Sequence, residues 1–316
     1  MNLQQIYKLA IEMGIKSDFR SKEHIAKELK RIREKYEKLS KDKKELFDLE
    51  KLTNPYSDTR IHFDNGEKNI KKVMAGIDID TAEIMLAEEL DIETVIAHHP
   101  IGMGLAGLDD VMHLQADVLA QYGVPINIAE SLMKTRISEV SRGVSASNHY
   151  KSVDSARLLN IGFINIHTPA DNLVANFVDQ KIKKDKPEYV GDIIKSLLEI
   201  PEYKEATKKG FGPMLFVGSE DSRAGKIAIT EITGGTEGNS KLFEKLSQAG
   251  VGTVIGMHLS EEGRKEAEKS HVNVVIAGHI SSDSLGMNLF LDELEKKGIK
   301  IVPCSGLIRV NRNKKK

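Results

Sequence analysis

His98 and His99 stand side by side at the end of the run Glu93-Thr94-Val95-Ile96-Ala97, and Pro100 follows them. Successive side chains on an extended backbone point to opposite faces, so neighbouring imidazoles at a strand end can serve two different metal ions. Pro100 biases His99 toward that extended conformation. Three more runs share the layout: Ile164-Asn165-Ile166-His167, Thr253-Val254-Ile255-Gly256-Met257-His258 and Val274-Val275-Ile276-Ala277-Gly278-His279. Five of the ten histidines thus close strand-like runs, at the strand ends where α/β folds bind ligands.

Two aspartates accompany them. Asp171 lies in His167-Thr168-Pro169-Ala170-Asp171, and a carboxylate beside imidazoles makes a mixed N/O site for a divalent ion. Helix capping accounts for the same residues, with Thr168 as N-cap, Pro169 at the first helical position and Asp171 near the third. Asp283 lies four residues after His279, so a helix beginning near His279 turns both to one side. Ser281 or Ser282 as N-cap, with Asp283 favoured by the helix dipole, explains the aspartate but leaves His279 unexplained. His258 is a candidate for orienting a substrate, while His24, His62, His113, His149 and His271 carry no placement argument. The stretch Thr233-Gly234-Gly235-Thr236-Glu237-Gly238-Asn239-Ser240 reads as a tight turn, with anion binding by its backbone N–H groups as the functional alternative. Taken together, His98, His99, Asp171, His279 and Asp283 offer N/O donors without cysteine for two divalent ions. A bridging carboxylate would hold such ions roughly 3.5–4 Å apart, the spacing used to activate water for hydrolysis.

The elements that must position these residues follow from periodicity. Leu3, Ile6, Tyr7, Ala10 and Met13 predict a helix, and Ile25, Leu29, Ile32, Tyr36 and Leu39 a second one. The latter has heptad spacing, read as a helix docked on its own domain, with a projecting hairpin or oligomer contact as the alternative. The turn cluster Asn54-Pro55-Tyr56-Ser57-Asp58 ends this preface. Strands are expected over 72–79, 93–97, 124–128, 161–166, 214–217 and 226–232 and before His258 and His279, with helices over 81–90, 113–122, 152–160, 240–248 and after His279. The alternation implies βαβ units and parallel sheets. Four segments result: a helical extension over 1–55, a first α/β lobe over 56–180, a helical connection over 181–210 and a second α/β lobe over 211–316.

Composition narrows the function classes. The chain has 46 basic and 47 acidic residues, a net charge of -1, so a nucleic-acid partner has no global electrostatic support. The single cysteine, Cys304, rules out an intramolecular disulfide and thiolate metal sites. No apolar run is long enough to span a bilayer, and the start lacks a signal-peptide pattern, so a cytoplasmic location and no membrane partner are expected. The basic run Lys314-Lys315-Lys316 is too short to argue a partner.

At this point the sequence resembles the Nif-three-like proteins, also called GTP cyclohydrolase I type 2-like or YbgI-like. The resemblance rests on Ile96-Ala97-His98-His99-Pro100, His167-Thr168-Pro169-Ala170-Asp171, the Gly234-Gly235 turn and Gly278-His279-Ile280-Ser281-Ser282-Asp283, in that order, and extends over about 56–311. It implies a two-lobed α/β fold of mixed sheets flanked by helices, with a dinuclear metal centre between the lobes, and often a homohexamer. By motif position, His98, Asp171 and Asp283 hold one ion and His99, His279 and Asp283 the other, with Zn, Mn, Fe, Co or Ni all compatible with the donors. The implied activity is metal-dependent hydrolysis of a small molecule, a nucleotide or phosphoester; a non-catalytic metal-binding or regulatory protein is the competing class. Three features depart from the family. Its last ligand is usually glutamate, one methylene longer than Asp283. Ser57-Asp58-Thr59-Arg60 stands where a Trp-Asp-Asn stretch is usual, and the segment between His99 and His167 is longer, as for a lid.

Overall fold

The first strand forms just beyond the turn cluster at 54–58, where the sequence changes period. A computed structural model of the chain describes residues 1–313, so the terminal lysine run lies outside the described residues. Nine strands are present among them: β1 Arg60–Phe63, β2 Lys72–Gly76, β3 Thr94–Ala97, β4 Gly162–Asn165, β5 Met214–Val217, β6 Lys226–Ile229, β7 Val251–Gly256, β8 Asn273–Ile276 and β9 Lys300–Pro303. They build two mixed sheets, one of order β1-β4-β3-β2-β9 and one of order β5-β8-β7-β6. In each, the first strand in sequence is an antiparallel edge and the others run parallel. The shared strand-then-histidine pattern of the two halves thus reflects a shared strand order. Every residue of β3 and β4 is buried, as expected of parallel strands covered by helices on both faces.

Two helices lie between the sheets. Helix Thr168–Asp185 leaves the end of β4, and helix His279–Lys296 leaves the end of β8. Met287, Phe290, Leu291 and Leu294 of the latter pack with Val73, Ile96 and Ile164 of the first sheet, whereas Leu285 packs with Ile255 and Val275 of the second. Val174, Val178 and Ile182 of the former join the second core. The helices cross tightly: a Cβ placed on Gly286 would come 2.3 Å from the Ala170 carbonyl oxygen. Glycine is required there because no side chain fits between the two backbones.

Helix Leu3–Ser17 buries Leu3, Ile6 and Ala10 against the first sheet and its covering helix, while helix Lys22–Glu37 fully buries only Ile25. The heptad positions Leu29, Ile32, Tyr36 and Leu39 are half-buried. The strand expected at 124–128 is absent. Pro125 instead precedes helix Ile126–Ser145, whose Ala129, Met133 and Val140 face the core. A short apolar run cannot report its period, and the helical spacing beyond it decides the outcome.

Two segments pass between the lobes. Helices within 108–145 bring Met112, Ala116, Leu119 and Met133 onto the outer face of the second sheet, packing with Val254 and Val274. In return β9 pairs in parallel with β2 in the first sheet. The long segment between His99 and His167 is therefore largely a covering layer of the second core.

Candidate metal centre

The strand ends and the starts of the two central helices converge on Asp171 and Asp283. Both aspartates are buried, and none of their four carboxylate oxygens has a hydrogen-bond partner. Capping does not explain them. His167 is the N-cap of its helix, without a side-chain cap bond, and Thr168 donates instead to Asp58 Oδ2 at 2.6 Å. At the other helix the N-cap is Gly278, and Ser281 and Ser282 donate to its carbonyl oxygen. Gly278 has φ 101°, and a Cβ there would approach Ser281 Oγ at 2.6 Å, so this turn admits only glycine.

Imidazole nitrogens face these oxygens. His98 Nε2 lies 3.4 Å from Asp171 Oδ1 and 3.4 Å from Asp283 Oδ1. On the other side of Asp283, Oδ2 is 3.3 Å from His99 Nε2 and 3.5 Å from His279 Nε2. His167 Nε2 completes the buried end, 3.8 Å from Asp171 Oδ2. A charge-assisted hydrogen bond closes to roughly 2.7–2.9 Å, so these groups are not bonded to one another. Their separations approach the roughly 3.3 Å edge of a tetrahedron with metal–ligand bonds of about 2.0–2.1 Å.

Three of the rings are oriented from behind. His98 Nδ1 lies 3.0 Å from the Ile166 carbonyl oxygen, His99 Nδ1 2.7 Å from Asp78 Oδ1, and His167 Nδ1 2.7 Å from Asp58 Oδ2. Carbonyl and carboxylate oxygens only accept, so each Nδ1 carries the hydrogen and donates it, turning the Nε2 lone pair inward. Electrostatics follow the same logic. Burial opposes a charge on His98, yet Asp283 and Asp171 outweigh it and hold the imidazole pKa well above its ordinary value. His167 is raised in the same way, with Asp171 and Asp58 overcoming burial. Burial would lift the Asp283 carboxyl, but His98, His99 and His279 drive it below the carboxylate range. The cluster is built to hold positive charge, and the groups His98, His167, Asp171 and His98, His99, Asp283 can each hold a metal ion.

One end of the cluster is sealed and the other open: the side chains of His98, Asp171 and Asp283 are at most 1% exposed, His99 24% and His279 42%. A cleft of about 270 Å³ opens beside His99, lined in part by Asp78, Ile79, His149 and Lys151. His258 stacks edge-on to His279 with ring centroids 5.4 Å apart, and its Nδ1 is buried without a partner. Burial, then His279, keeps the His258 pKa low.

The sequence of this chain matches a family model described as Duf34/NIF3 (NGG1p interacting factor 3) over residues 51–305. The chain belongs to the Duf34/NIF3 family. Among solved structures it is similar to a NIF3 superfamily protein from Sphaerobacter thermophilus, with 25% identity and a TM-score of 0.77 over 97% of this chain and 99% of that one. It is also similar to reduced HcgD from Methanocaldococcus jannaschii, with 17% identity and a TM-score of 0.48 over 77% of this chain and 87% of that one. No curated protein matches it. The two mixed sheets flanked by helices agree with membership of the NIF3 superfamily.

All five residues singled out in the sequence, His98, His99, Asp171, His279 and Asp283, lie in this one cluster. Sequence reasoning left His167 out of it, although the residue closes one of the four strand-end runs, and gave no role to Asp58 or Asp78. Asp58 occupies the place of the family's Trp-Asp-Asn stretch, which is the signal that points to it. The glycine-rich turn has a packing explanation: Gly234 and Gly235 have φ 87° and 94°, and a Cβ on either would come 2.9 Å from a side chain of the covering helices, Gln115 or Met112. His62, read as ordinary, is a structural residue bonded to Asn165 Oδ1 at 2.8 Å.

Proposed function

We propose that this NIF3-family protein binds two divalent ions per chain and is a metal-dependent hydrolase acting on a phosphoester or nucleotide-type substrate. The observation that carries the reading is Asp283: each of its buried, unbonded oxygens faces a different set of imidazoles. His98, Asp171 and Asp283, joined by His167, would hold one ion, and His99, His279 and Asp283 the other. Two carboxylates in such surroundings demand a compensating cation, because an uncompensated buried charge costs several kcal/mol. The shorter aspartate serves as the shared ligand because its helix starts close enough to reach both sets.

Divalent ions bound there supply Lewis acidity and lower the pKa of a coordinated water. The chain's own residues supply the rest. Asp58, Asp78 and the Ile166 carbonyl fix the ring tautomers; Asp171 and the sealed end exclude bulk water; the cleft beside His99 admits the substrate. His258 orients the substrate from the His279 side. The competing reading, a regulatory metal protein, is favoured by the family description as an interacting factor. The exposure of His99 and His279 favours hydrolysis, since a storage site closes its shell. A cytoplasmic homohexamer belongs to the same proposal, and sedimentation velocity tests the assembly.

The deciding experiment is elemental analysis of protein expressed in metal-replete medium, followed by a metal-reconstituted screen against nucleotides and phosphoesters. Close to two ions per chain are expected at this centre, with at least one lost in Asp283→Ala, and turnover should disappear in Asp171→Ala. A metal-free protein that takes up no ion on titration sinks the proposal. Two bound ions without turnover of any substrate leave the regulatory reading in its place.

A further inference from the structure

Away from this centre, His24, Glu28 and Asp117 bring one imidazole and two carboxylates together where the N-terminal helices meet the segment that crosses to the second lobe. His24 and Glu28 are four apart on helix Lys22–Glu37 and share a face, while Asp117 projects from helix His113–Gln121. His24 Nε2 lies 3.5 Å from Glu28 Oε1 and 3.6 Å from Asp117 Oδ1, and the three donor atoms fall within 4.8 Å of one another. These distances exceed a hydrogen bond and approach the roughly 3.3 Å edge expected around an ion with bonds of about 2.0–2.1 Å.

The surroundings complete the argument. Arg20 Nη1 holds the other oxygen of Glu28 at 2.8 Å, which fixes Oε1 toward His24, as a hydrogen-bonded carboxylate ligand is fixed in metal sites. The Asp117 side chain is 21% exposed and accepts no hydrogen bond among the described residues, which leaves it facing the His24 imidazole. Among the described residues, Arg20 is the one permanent cation paired with Asp18 and Glu28, and Asp117 pairs only with His24, which leaves the neighbourhood negative.

We propose that His24, Glu28 and Asp117 form a third divalent-cation site, of zinc-type His/carboxylate chemistry, that staples helix Lys22–Glu37 to helix His113–Gln121. The site shares no residue with the central cluster. It fastens a helix that otherwise fully buries only Ile25.

Zinc chloride titrated calorimetrically into chelator-stripped full-length protein tests the site, with His24→Ala and Asp117→Asn as variants at positions outside the core. Each variant is expected to bind one ion fewer than the wild type, or to bind that ion at least about tenfold more weakly. Trypsin provides an independent readout, since 22–44 is rich in lysine and arginine. Zinc should slow cleavage there in the wild type and have no such effect in His24→Ala. Loss of the central ions in Asp283→Ala leaves both readouts intact, so failure of the hydrolase reading is distinguishable from failure of this one. Wild-type stoichiometry and affinity in both variants, or equal protection by zinc with and without His24, overturns the proposal.

Discussion

Asp58 touches no other carboxylate of the central cluster, yet it sets the chemistry of His167 by accepting from both Nδ1 and the Thr168 hydroxyl. Substituting Asp58→Asn keeps the shape but puts a donor within reach of Nδ1, so the imidazole loses its enforced tautomer. Affinity for one divalent ion should fall by about tenfold to a hundredfold, measured by competition with a chromophoric chelator, with little change in the second ion. A second residue-scale expectation concerns Glu231, which has φ 58° and accepts from the Gly238 N–H at 2.7 Å. Burial, reinforced by Glu237, lifts its carboxyl from the ordinary 4.5 to about 7. A carboxyl raised on folding contributes stability below its unfolded value and loses it as pH climbs to the folded one. Thermal melts should therefore show Glu231→Gln gaining on the wild type between pH 5 and about 7 and holding the gain above it; a constant difference across that range contradicts the assignment.

Glycines and helix starts decide the geometry at the scale of elements. Gly286 lets helix His279–Lys296 touch the Ala170 carbonyl, and that crossing sits one residue from Asp171 and three from Asp283. Gly286→Ala must push the helices apart, at a cost of about 2 kcal/mol in stability. It should also weaken metal binding, because the two aspartates ride on the two helices; chemical denaturation and ion titration of the same variant check both effects. Most of this level was legible in sequence. The strand-end runs and the helix starting at His279 carry clear periods and breakers, so His98, His99, His279 and Asp283 were identifiable from local pattern. The 124–128 run was not, since three apolar residues, Val124, Ile126 and Ile128, beside Pro125 fit a strand as well as a helix entry. Asp171 against a cap was likewise open, because the answer lies in where Thr168 points, and it points to Asp58.

Over the whole molecule the chain holds itself together by exchange between lobes. The segment after β9 runs back across helix His279–Lys296, where Arg309 pairs with Asp292 at 2.6 Å and Arg312 with Glu202 at 2.7 Å. Glu202 is fully buried, and Asn288 is its only other side-chain donor among the described residues. Arg312→Ala strands that carboxylate and should cost about 3 kcal/mol, read as a lower denaturation midpoint with the slope unchanged. Glu202→Gln in the same background should recover much of the loss, which separates the buried charge from general damage to the tail.

The amino-acid sequence by itself determined which residues could meet a metal, the α/β class and the strand-end placement of the histidines, because residue type and local period are properties of short stretches. The tertiary structure alone decided that Asp283 presents one oxygen to His98 and the other to His99 and His279, that His167 joins them, and that β9 returns to the first sheet. Those outcomes depend on contacts between residues tens to hundreds of positions apart. Such contacts are chosen by how two sheets and two central helices pack, and no local window of sequence contains that choice.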